Sequence, residues 1–416
     1  MQFLFHTLSL TSSGGSRVVC DLASYLCEQG HDVTIVLDRN RIAFPLNPKV
    51  KVLLLKEYKL KDITPLYSGD TQAFQKHSDK KNKKTKKVKL RHKYKLIDSI
   101  NEWKKYLLKI LTYPSKKIAI KKLIEEINPD LVISHNMYYF LEHYLFYKGR
   151  NFCVVLHNSP NQVFIDRTVK TLLPLSYYYN ETHCIGVSKG VSQEMLELFP
   201  KATVSTVYNP VDLDNIKALS TCEIPKSFID KKYIVTVSSL APGKRIDRTI
   251  KAFNQLQDDN INLVILGEGE EKASLMKLVD ELGISHRVEF LGFIENPKPY
   301  MKHAQMLSFT SDYEGLGLVL VEALACGTPV LSTNCPSGPD EVLTGPLKQY
   351  LIEIKGRSEK DIVNDIAVTM KNILESPPKI MPNQIAQFSK ERIVSSWESI
   401  AKRSNHGDKR KSYEIS

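Results

Sequence analysis

Short all-apolar runs alternate along most of this chain with longer stretches in which apolar residues recur every three or four positions. That alternation predicts buried strands interleaved with amphipathic helices. The first 40 residues set the pattern: a short strand, a glycine-containing loop at Thr11–Ser16, an amphipathic helix, then the β-rich run Val33–Leu37. Further strands are predicted at Val50–Leu55, Leu131–Ser134, Phe152–Leu156, Cys184–Val187 and Thr203–Tyr208. A polar, non-periodic stretch follows Asn209-Pro210, and the alternation restarts after Lys232. Strands are then expected at Tyr233–Ser238, Asn262–Leu266, Val288–Leu291, Met306–Phe309 and Pro329–Ser332, with helices at Asp247–Leu256, Lys272–Leu282, Leu316–Ala325 and Asp361–Leu374. Strands separated by helices build parallel, doubly wound sheets, so the predicted class is α/β with two such halves. The expected boundaries are a first domain at 1–210, a linker at 211–231, a second domain at 232–382, a helix at 383–402 returning to the first domain, and a mobile polar tail at 403–416. A total of 416 residues suits two or three domains at about 150 each. Ligands of such folds bind at the carboxyl ends of the strands, so a cleft between the halves is the expected site.

Composition narrows the class. An apolar share of 42% excludes a disordered chain. Seven cysteines (20, 27, 153, 184, 222, 326 and 335) are scattered through apolar runs with no C-x-x-C pair, which reads as reduced core thiols in a cytosolic protein. The start lacks the basic and apolar regions of a signal peptide. The most apolar stretch, Gly315–Leu331, is broken by Glu322 and Gly327, so no membrane span is expected.

Chemistry concentrates in Ser311-Asp312-Tyr313-Glu314-Gly315-Leu316-Gly317-Leu318, continued by Glu322 and closed by Cys326-Gly327-Thr328-Pro329. It reads as a strand end, a loop with two glycines, a short helix and a strand. Glycines at a helix start let a ligand approach backbone N–H groups, where the helix dipole favours a phosphate. Glu314 stands at that mouth as an acceptor for hydroxyls, and Glu322 lies about two helical turns further on. Two acids eight apart carry little alone, since Glu281 and Glu289 share the spacing. The Gly-x-Gly context gives this pair its weight. A second glycine motif, Leu266-Gly267-Glu268-Gly269, has Lys272 where a dinucleotide fingerprint needs glycine, and its glutamates would repel a pyrophosphate. A dehydrogenase is therefore disfavoured. Asp212-Leu213-Asp214 has the look of a metal-binding pair but sits where Asp-rich turns are common, and no metal is assigned to it. No G-x-S-x-G or Cys/His nucleophile motif is present.

The 311–330 segment resembles the Glu-x7-Glu signature of retaining, nucleotide-sugar-dependent glycosyltransferases of family 4, which have the GT-B fold: two Rossmann-like domains facing across a cleft. The resemblance extends to Gly14-Gly15, Gly30-His31-Asp32-Val33, Gly186-Val187-Ser188, Tyr208-Asn209-Pro210, Val237-Ser238-Ser239-Leu240 with Lys244, Leu266-Gly267-Glu268-Gly269 and Phe290-Leu291-Gly292-Phe293. Asn334-Cys335-Pro336-Ser337-Gly338-Pro339 resembles members that build lipopolysaccharide and lipid-linked oligosaccharides. The resemblance implies an acceptor-binding first domain and a donor-binding second domain. It implies that Glu314, His157 and Lys244 act at the transferred sugar and its diphosphate. Donor contacts would come from Gly14, Gly15, Lys244, Arg245, Gly315, Leu316, Gly317, Leu318, Glu322 and Phe293. The implied donor is a UDP-hexose or UDP-N-acetylhexosamine, the implied acceptor a surface glycan or lipid-linked saccharide, and no cofactor or obligatory metal is expected. Ser239 departs from the pattern, because the family usually has an arginine there; Arg245 is the expected substitute beside Lys244. A catalytically silent GT-B-like scaffold protein is the alternative.

Charge adds a location. Lys and Arg number 58 against 46 Asp and Glu, a net of +12. From Lys76 to Lys122 there are 18 Lys or Arg and three acids, a local +15 that leaves the rest at about −3. This basic insert at 76–122 begins with a lysine-rich run and continues with Leu96, Ile97, Ile100, Trp103, Leu107, Ile110 and Leu111 at helical spacing between lysines. Either a surface helix with a solvated charged face or an anionic-membrane contact through residues 76–112 accounts for it. Nucleic-acid binding is disfavoured, because no reader motif accompanies the lysines. A cytoplasmic protein, peripheral on the inner membrane face, is the resulting expectation. Under the membrane reading the chain co-sediments with anionic vesicles at low salt and loses that binding when residues 76–112 are deleted; undiminished sedimentation of the deletion variant would remove it.

Overall fold

The computed structural model describes residues 1–404 except 12, 57–58, 68–111, 136–139 and 166–176. The lysine-rich run, the amphipathic pattern through Leu111 and the tail from 405 lie outside the described residues. Residues 112–127 are helical.

The first sheet holds β1 (Gln2–Thr7), β2 (Asp32–Leu37), β3 (Lys51–Lys56), β4 (Lys59–Asp62), β5 (Leu131–Ser134), β6 (Phe152–Leu156), β7 (His183–Gly186) and β8 (Thr203–Thr206), in the order β4-β3-β2-β1-β5-β6-β7-β8. β1 lies at its centre, parallel to β2 and β5, with Phe5 in register with Ile35 and Ile133. Residues 3–7 of β1 are all buried, as a strand covered on both faces requires. β4 is antiparallel to β3 and has no counterpart among the predicted strands. Its sequence Lys-Leu-Lys-Asp has no apolar run to reveal it, and its charges suit an edge strand.

The second sheet holds β9 (Tyr233–Val237), β10 (Asn262–Leu266), β11 (Val288–Gly292), β12 (Met306–Phe309), β13 (Val330–Asn334) and β14 (Leu351–Glu353), in the order β11-β10-β9-β12-β13-β14. Its pairings are parallel. The chain lays β9, β10 and β11 in one direction, then returns to the other side of β9 for β12. That reversal leaves a switch point between β9 and β12, where loops diverge and a ligand can enter. The stretch expected as a non-periodic linker contains two short helices, Leu213–Leu219 and Lys226–Ile229, too brief to show a period.

Contacts divide the chain into two compact units. One is built around Met1–Val155, Leu173–Ile185 and Val394–Ser412, the other around Leu156–Leu172 and Gly186–Ile393. The first unit includes an ion pair between His31 and Glu398 at 2.7 Å, and Trp397 is buried. The second unit takes in the helix Lys189–Leu198, whose pattern reads as part of the first half. Glu341 accounts for this: its carboxylate accepts from the Lys189 and Gly190 N–H groups and from the Tyr208 hydroxyl. Five cysteines are buried as expected, but Cys222 is exposed and Cys326 half-buried. All seven are free.

The helices Ile246–Asn254 and Glu359–Glu375 pack beside β12 through a charge network. Arg248, buried at 3% exposure, donates to Glu359 and to the Thr310 carbonyl and pairs with Asp312 at 2.6 Å. The Arg248 and Arg245 guanidiniums hold the Glu359 carboxyl down at about 2, against 4.5 ordinarily. A depressed carboxylate pKa contributes stability above the unfolded value and loses it as pH falls. Glu359→Gln should therefore lower Tm at pH 7 by roughly 1–3 °C. It should also flatten the decline in Tm as pH falls from 4.5 towards 2, and a wild-type slope in the variant would show that the pair is not coupled to folding.

Candidate active site

β12 ends at Phe309, and the chain then runs through the predicted loop into the helix Leu318–Ala325. Gly317 is the N-cap with φ of 81°, a left-handed conformation open to glycine, and no side chain caps the helix. Leu320 N–H donates to the Gly317 carbonyl at 2.9 Å, and the Leu318 and Val319 N–H groups of the first turn are left to a ligand or solvent. Leu316 is buried beneath the loop and Leu318 half-buried.

Neighbouring backbone constrains this loop. A Cβ on Gly315 would lie 2.1 Å from the His157 carbonyl oxygen, and one on Gly338 would lie 2.4 Å from the Leu316 carbonyl oxygen. The Ser337 hydroxyl donates to the Glu314 carbonyl at 2.8 Å. Asp312 N–H donates to the Gly243 carbonyl at 2.9 Å, with the Tyr313 ring packed on Gly243. Segments 241–245, 311–317 and 335–339 therefore hold one another.

The Lys244 Nζ donates to Glu314 Oε1 at 2.5 Å, and the Ser311 hydroxyl donates to the same oxygen at 2.6 Å. Both charged side chains are largely sheltered, so their charges act in a weaker screen than at an open surface. Glu322 is paired with Lys298 at 3.0 Å, and Lys298 is itself buried. His157 follows β6 at the back of Gly315, and desolvation lowers its imidazole to about 4, so it is neutral at pH 7.

Arg245 goes elsewhere. It adopts a left-handed conformation (φ 48°) and its guanidinium is shared by Asp247, Asp312 and Glu359. Three carboxylates already neutralise it, which argues against the phosphate role expected from its place beside Lys244. Phe293, 72% exposed, follows β11. Gly14 opens the helix Gly14–Glu28 of the first unit, followed by Gly15, and Ser13 caps that helix by accepting from Ser16 N–H. A Cβ on Gly14 would meet nothing within 4 Å.

The Gly267-Glu268-Gly269 run serves packing. Cβ atoms there would fall 1.8 Å from the Ser238 carbonyl oxygen and 2.2 Å from the Leu240 carbonyl oxygen. Asp212 caps the helix Leu213–Leu219, accepting from Asn215 N–H at 2.9 Å, and pairs with Lys390 at 2.8 Å. Three partners receive no role from the sequence alone. Ser311, three residues before Glu314, has a helix-like spacing that could have marked it. Ser337 meets the loop, and Lys298 meets Glu322 on the helix, only through tertiary structure.

Residues 223–391 match the family described as Glycosyl transferases group 1, and residues 85–215 match Glycosyltransferase Family 4. The chain is 29% identical over 244 residues to an uncharacterized glycosyltransferase of Methanocaldococcus jannaschii, covering 54% of this chain and 60% of that protein. It is 29% identical over 279 residues, 65% of this chain and 73% of the other, to N-acetylgalactosamine-N,N'-diacetylbacillosaminyl-diphospho-undecaprenol 4-alpha-N-acetylgalactosaminyltransferase of Campylobacter jejuni. Among solved structures, Anabaena HepE in complex with UDP superposes with a TM-score of 0.65 at 16% identity, over 97% of this chain and 100% of that one. A point mutant of S. aureus TarM, in complex with Fondaparinux, alpha-GlcNAc-glycerol and UDP, gives 0.54 at 20% identity over 69% of this chain and 59% of that one. These likenesses show the fold, two parallel-sheet α/β domains of the GT-B kind. With both family matches lying side by side along the chain, it belongs to the group 1, family 4 glycosyltransferases.

Proposed function

We propose that this protein transfers a sugar, with retention, from a UDP-hexose or UDP-N-acetylhexosamine to a lipid-linked or other surface-glycan acceptor. The observation that carries the reading is the Lys244–Glu314 pair, held at 2.5 Å at the mouth of a glycine-capped helix. A cation, a hydroxyl acceptor and free helix N–H groups together suit a sugar diphosphate. The Campylobacter relative's name specifies a diphospho-undecaprenol acceptor, and the HepE and TarM structures contain UDP, which supports the donor and acceptor classes.

Each group then has a task. The diphosphate draws Lys244 away from Glu314 and is neutralised by it as negative charge develops on the leaving group. Glu314, released from the lysine and still steadied by Ser311, accepts from sugar hydroxyls. Glu322, held by Lys298, accepts from the ribose. Backbone N–H groups after Gly317 face the phosphates. His157, whose imidazole burial lowers to about 4, serves as a neutral hydrogen-bonding partner of the sugar. No protein nucleophile is required if the leaving diphosphate takes the acceptor's proton on the same face. The reading places no metal at the diphosphate. Lys244 is the cation of its loop that bears on the donor, since Arg245 is bound to carboxylates.

UDP should raise Tm more than GDP or ADP does, and UDP should be released from a UDP-sugar when a lipid-linked saccharide is added. Lys244→Ala should lower kcat by about 10²–10³, as loss of a preorganised charge at the reacting centre does. A folded protein that neither shifts with UDP nor releases it would favour the scaffold reading. Glu322→Ala should raise the donor KM with kcat little changed, because ribose binding is the same in ground and transition states. An equal loss in kcat would move Glu322 into the chemistry.

A further inference from the structure

Glu194 lies on the helix Lys189–Leu198 of the second unit and is 8% exposed. Among the described residues no other acid is as buried. Taking an ionised carboxylate out of water costs free energy unless hydrogen bonds replace the water. Here the Ser159 hydroxyl donates to Glu194 Oε2 at 2.5 Å, and the Asn161 N–H donates to the same oxygen at 3.2 Å. The other oxygen, Oε1, lies 3.5 Å from the Ser337 hydroxyl. Ser159 and Ser337 are themselves buried.

These partners belong to the two segments that meet at Gly315. Ser159 stands two residues after His157, and its oxygen also accepts from the Gln162 N–H at 3.3 Å, which caps the short helix Pro160–Ile165. Glu194 therefore holds the chain that follows β6, whose His157 carbonyl backs Gly315. Ser337 belongs to the other side. Its hydroxyl donates to the Glu314 carbonyl at 2.8 Å, and Glu194 is the more distant of its two acceptors. The helix that carries Glu194 is fixed to that side as well: Glu341 accepts from the Lys189 and Gly190 N–H groups, and a Cβ on Gly190 would lie 2.7 Å from Ser337 Cβ. A helix joined at its start to residues 335–341 thus reaches with one carboxylate to residues 159–161, and all of these residues lie in the second unit.

We propose that Glu194 is a positioning residue for sugar transfer: its carboxylate fixes residues 157–161 against the acidic loop and so sets His157 and Glu314 at the spacing the transferred sugar requires. This rests on the reading of His157 and Glu314 as groups that face that sugar. An ionised acceptor suits the task, because charge-assisted hydrogen bonds are shorter and stronger than neutral ones, as the 2.5 Å separation from Ser159 reflects. Removing the carboxylate leaves the buried Ser159 hydroxyl and the Asn161 N–H without their acceptor, which favours a shift of the segment. A shift of about 1 Å at reacting groups can cost roughly 100-fold in rate. The nucleotide end of the donor is assigned to Lys244, Glu322 and the helix N–H groups, so its binding does not depend on Glu194.

The test compares Glu194→Ala and Glu194→Gln in the full chain. UDP release is followed from UDP-glucose, UDP-N-acetylglucosamine and their galacto epimers, with an undecaprenyl-diphosphate-linked saccharide as acceptor. Glu194→Ala should lower kcat by about 10–100-fold. Its affinity for UDP, read by calorimetry, should stay within about twofold of wild type, because a misplaced reacting group costs transition-state and not ground-state binding. Glu194→Gln, whose amide oxygen still accepts from Ser159, should recover kcat to within about fivefold of wild type. Amide hydrogen exchange needs no substrate: residues 157–162 and 311–317 should exchange about tenfold faster or more in Glu194→Ala, with β1 and β5 unchanged. Wild-type kcat in the alanine variant, or wild-type exchange in both segments, overturns the proposal. So does a joint loss of UDP affinity, Tm and protection throughout the second unit, which would make Glu194 a general stabiliser. A wild type that neither binds nor releases UDP overturns the UDP-sugar reading instead, and the exchange measurement then decides whether Glu194 fixes the two segments.

Discussion

At the carboxyl edge of the second sheet, backbone meets backbone too closely for side chains to intervene. The Gly315 and Gly338 contacts with the carbonyls of His157 and Leu316, and those of Gly267 and Gly269 with Ser238 and Leu240, are of this kind. Each brings a loop from one strand end onto a loop from another. What is gained is rigidity in segments that would otherwise be mobile, and a glutamate and a lysine from distant parts of the chain are brought to one point. A single methyl group at Gly315 would displace either the acidic loop or the chain after β6. The glycines thus position the chemistry without taking part in it.

Electrostatics then decides which charges remain available. Lys244 and Arg245 are adjacent in sequence, yet the left-handed turn at Arg245 sends their side chains to different partners. Arg245 joins Arg248 in a network with Asp247, Asp312 and Glu359, where its planar fork suits several carboxylates at once. Lys244 is paired with Glu314, a one-to-one arrangement that a more highly charged diphosphate can exchange. The low net charge outside the insert fits this economy, since a few placed groups and helix N–H dipoles suffice for an anionic donor. The basic excess between Lys76 and Lys122 belongs to a separate question, that of where the protein works.

Much of the fold is legible in the sequence because burial leaves a periodic trace. Strands such as Leu131–Ser134, Asn262–Leu266 and Met306–Phe309 coincide with their apolar runs, and Lys272–Glu281 lies within its predicted helix. The elements that escape the pattern carry no such trace: β4 is charged and exposed, β14 has three residues, and the helices Leu213–Leu219 and Lys226–Ile229 are too short for a period to develop. The candidate site divides in the same way. Glu314, Glu322 and the two glycines between strand and helix belong to one continuous segment. Lys298 is 24 residues from Glu322, and no local pattern points from one to the other.

Residues close together along the chain were enough to set the α/β class, the glycine-bounded acidic loop and the family resemblance, because each of these is a local pattern. Only folding settled that Arg245 is neutralised by Asp247, Asp312 and Glu359, that Lys298 stands behind Glu322, and that Glu341 ties Lys189–Leu198 to the second unit. Folding also brought Ser159 and Ser337 to the two oxygens of Glu194. Ion pairs and buried hydrogen bonds depend on separations of a few ångströms between residues tens or hundreds of positions apart. Such separations follow from how strands are ordered in a sheet, and a linear pattern of apolar and polar residues does not encode them.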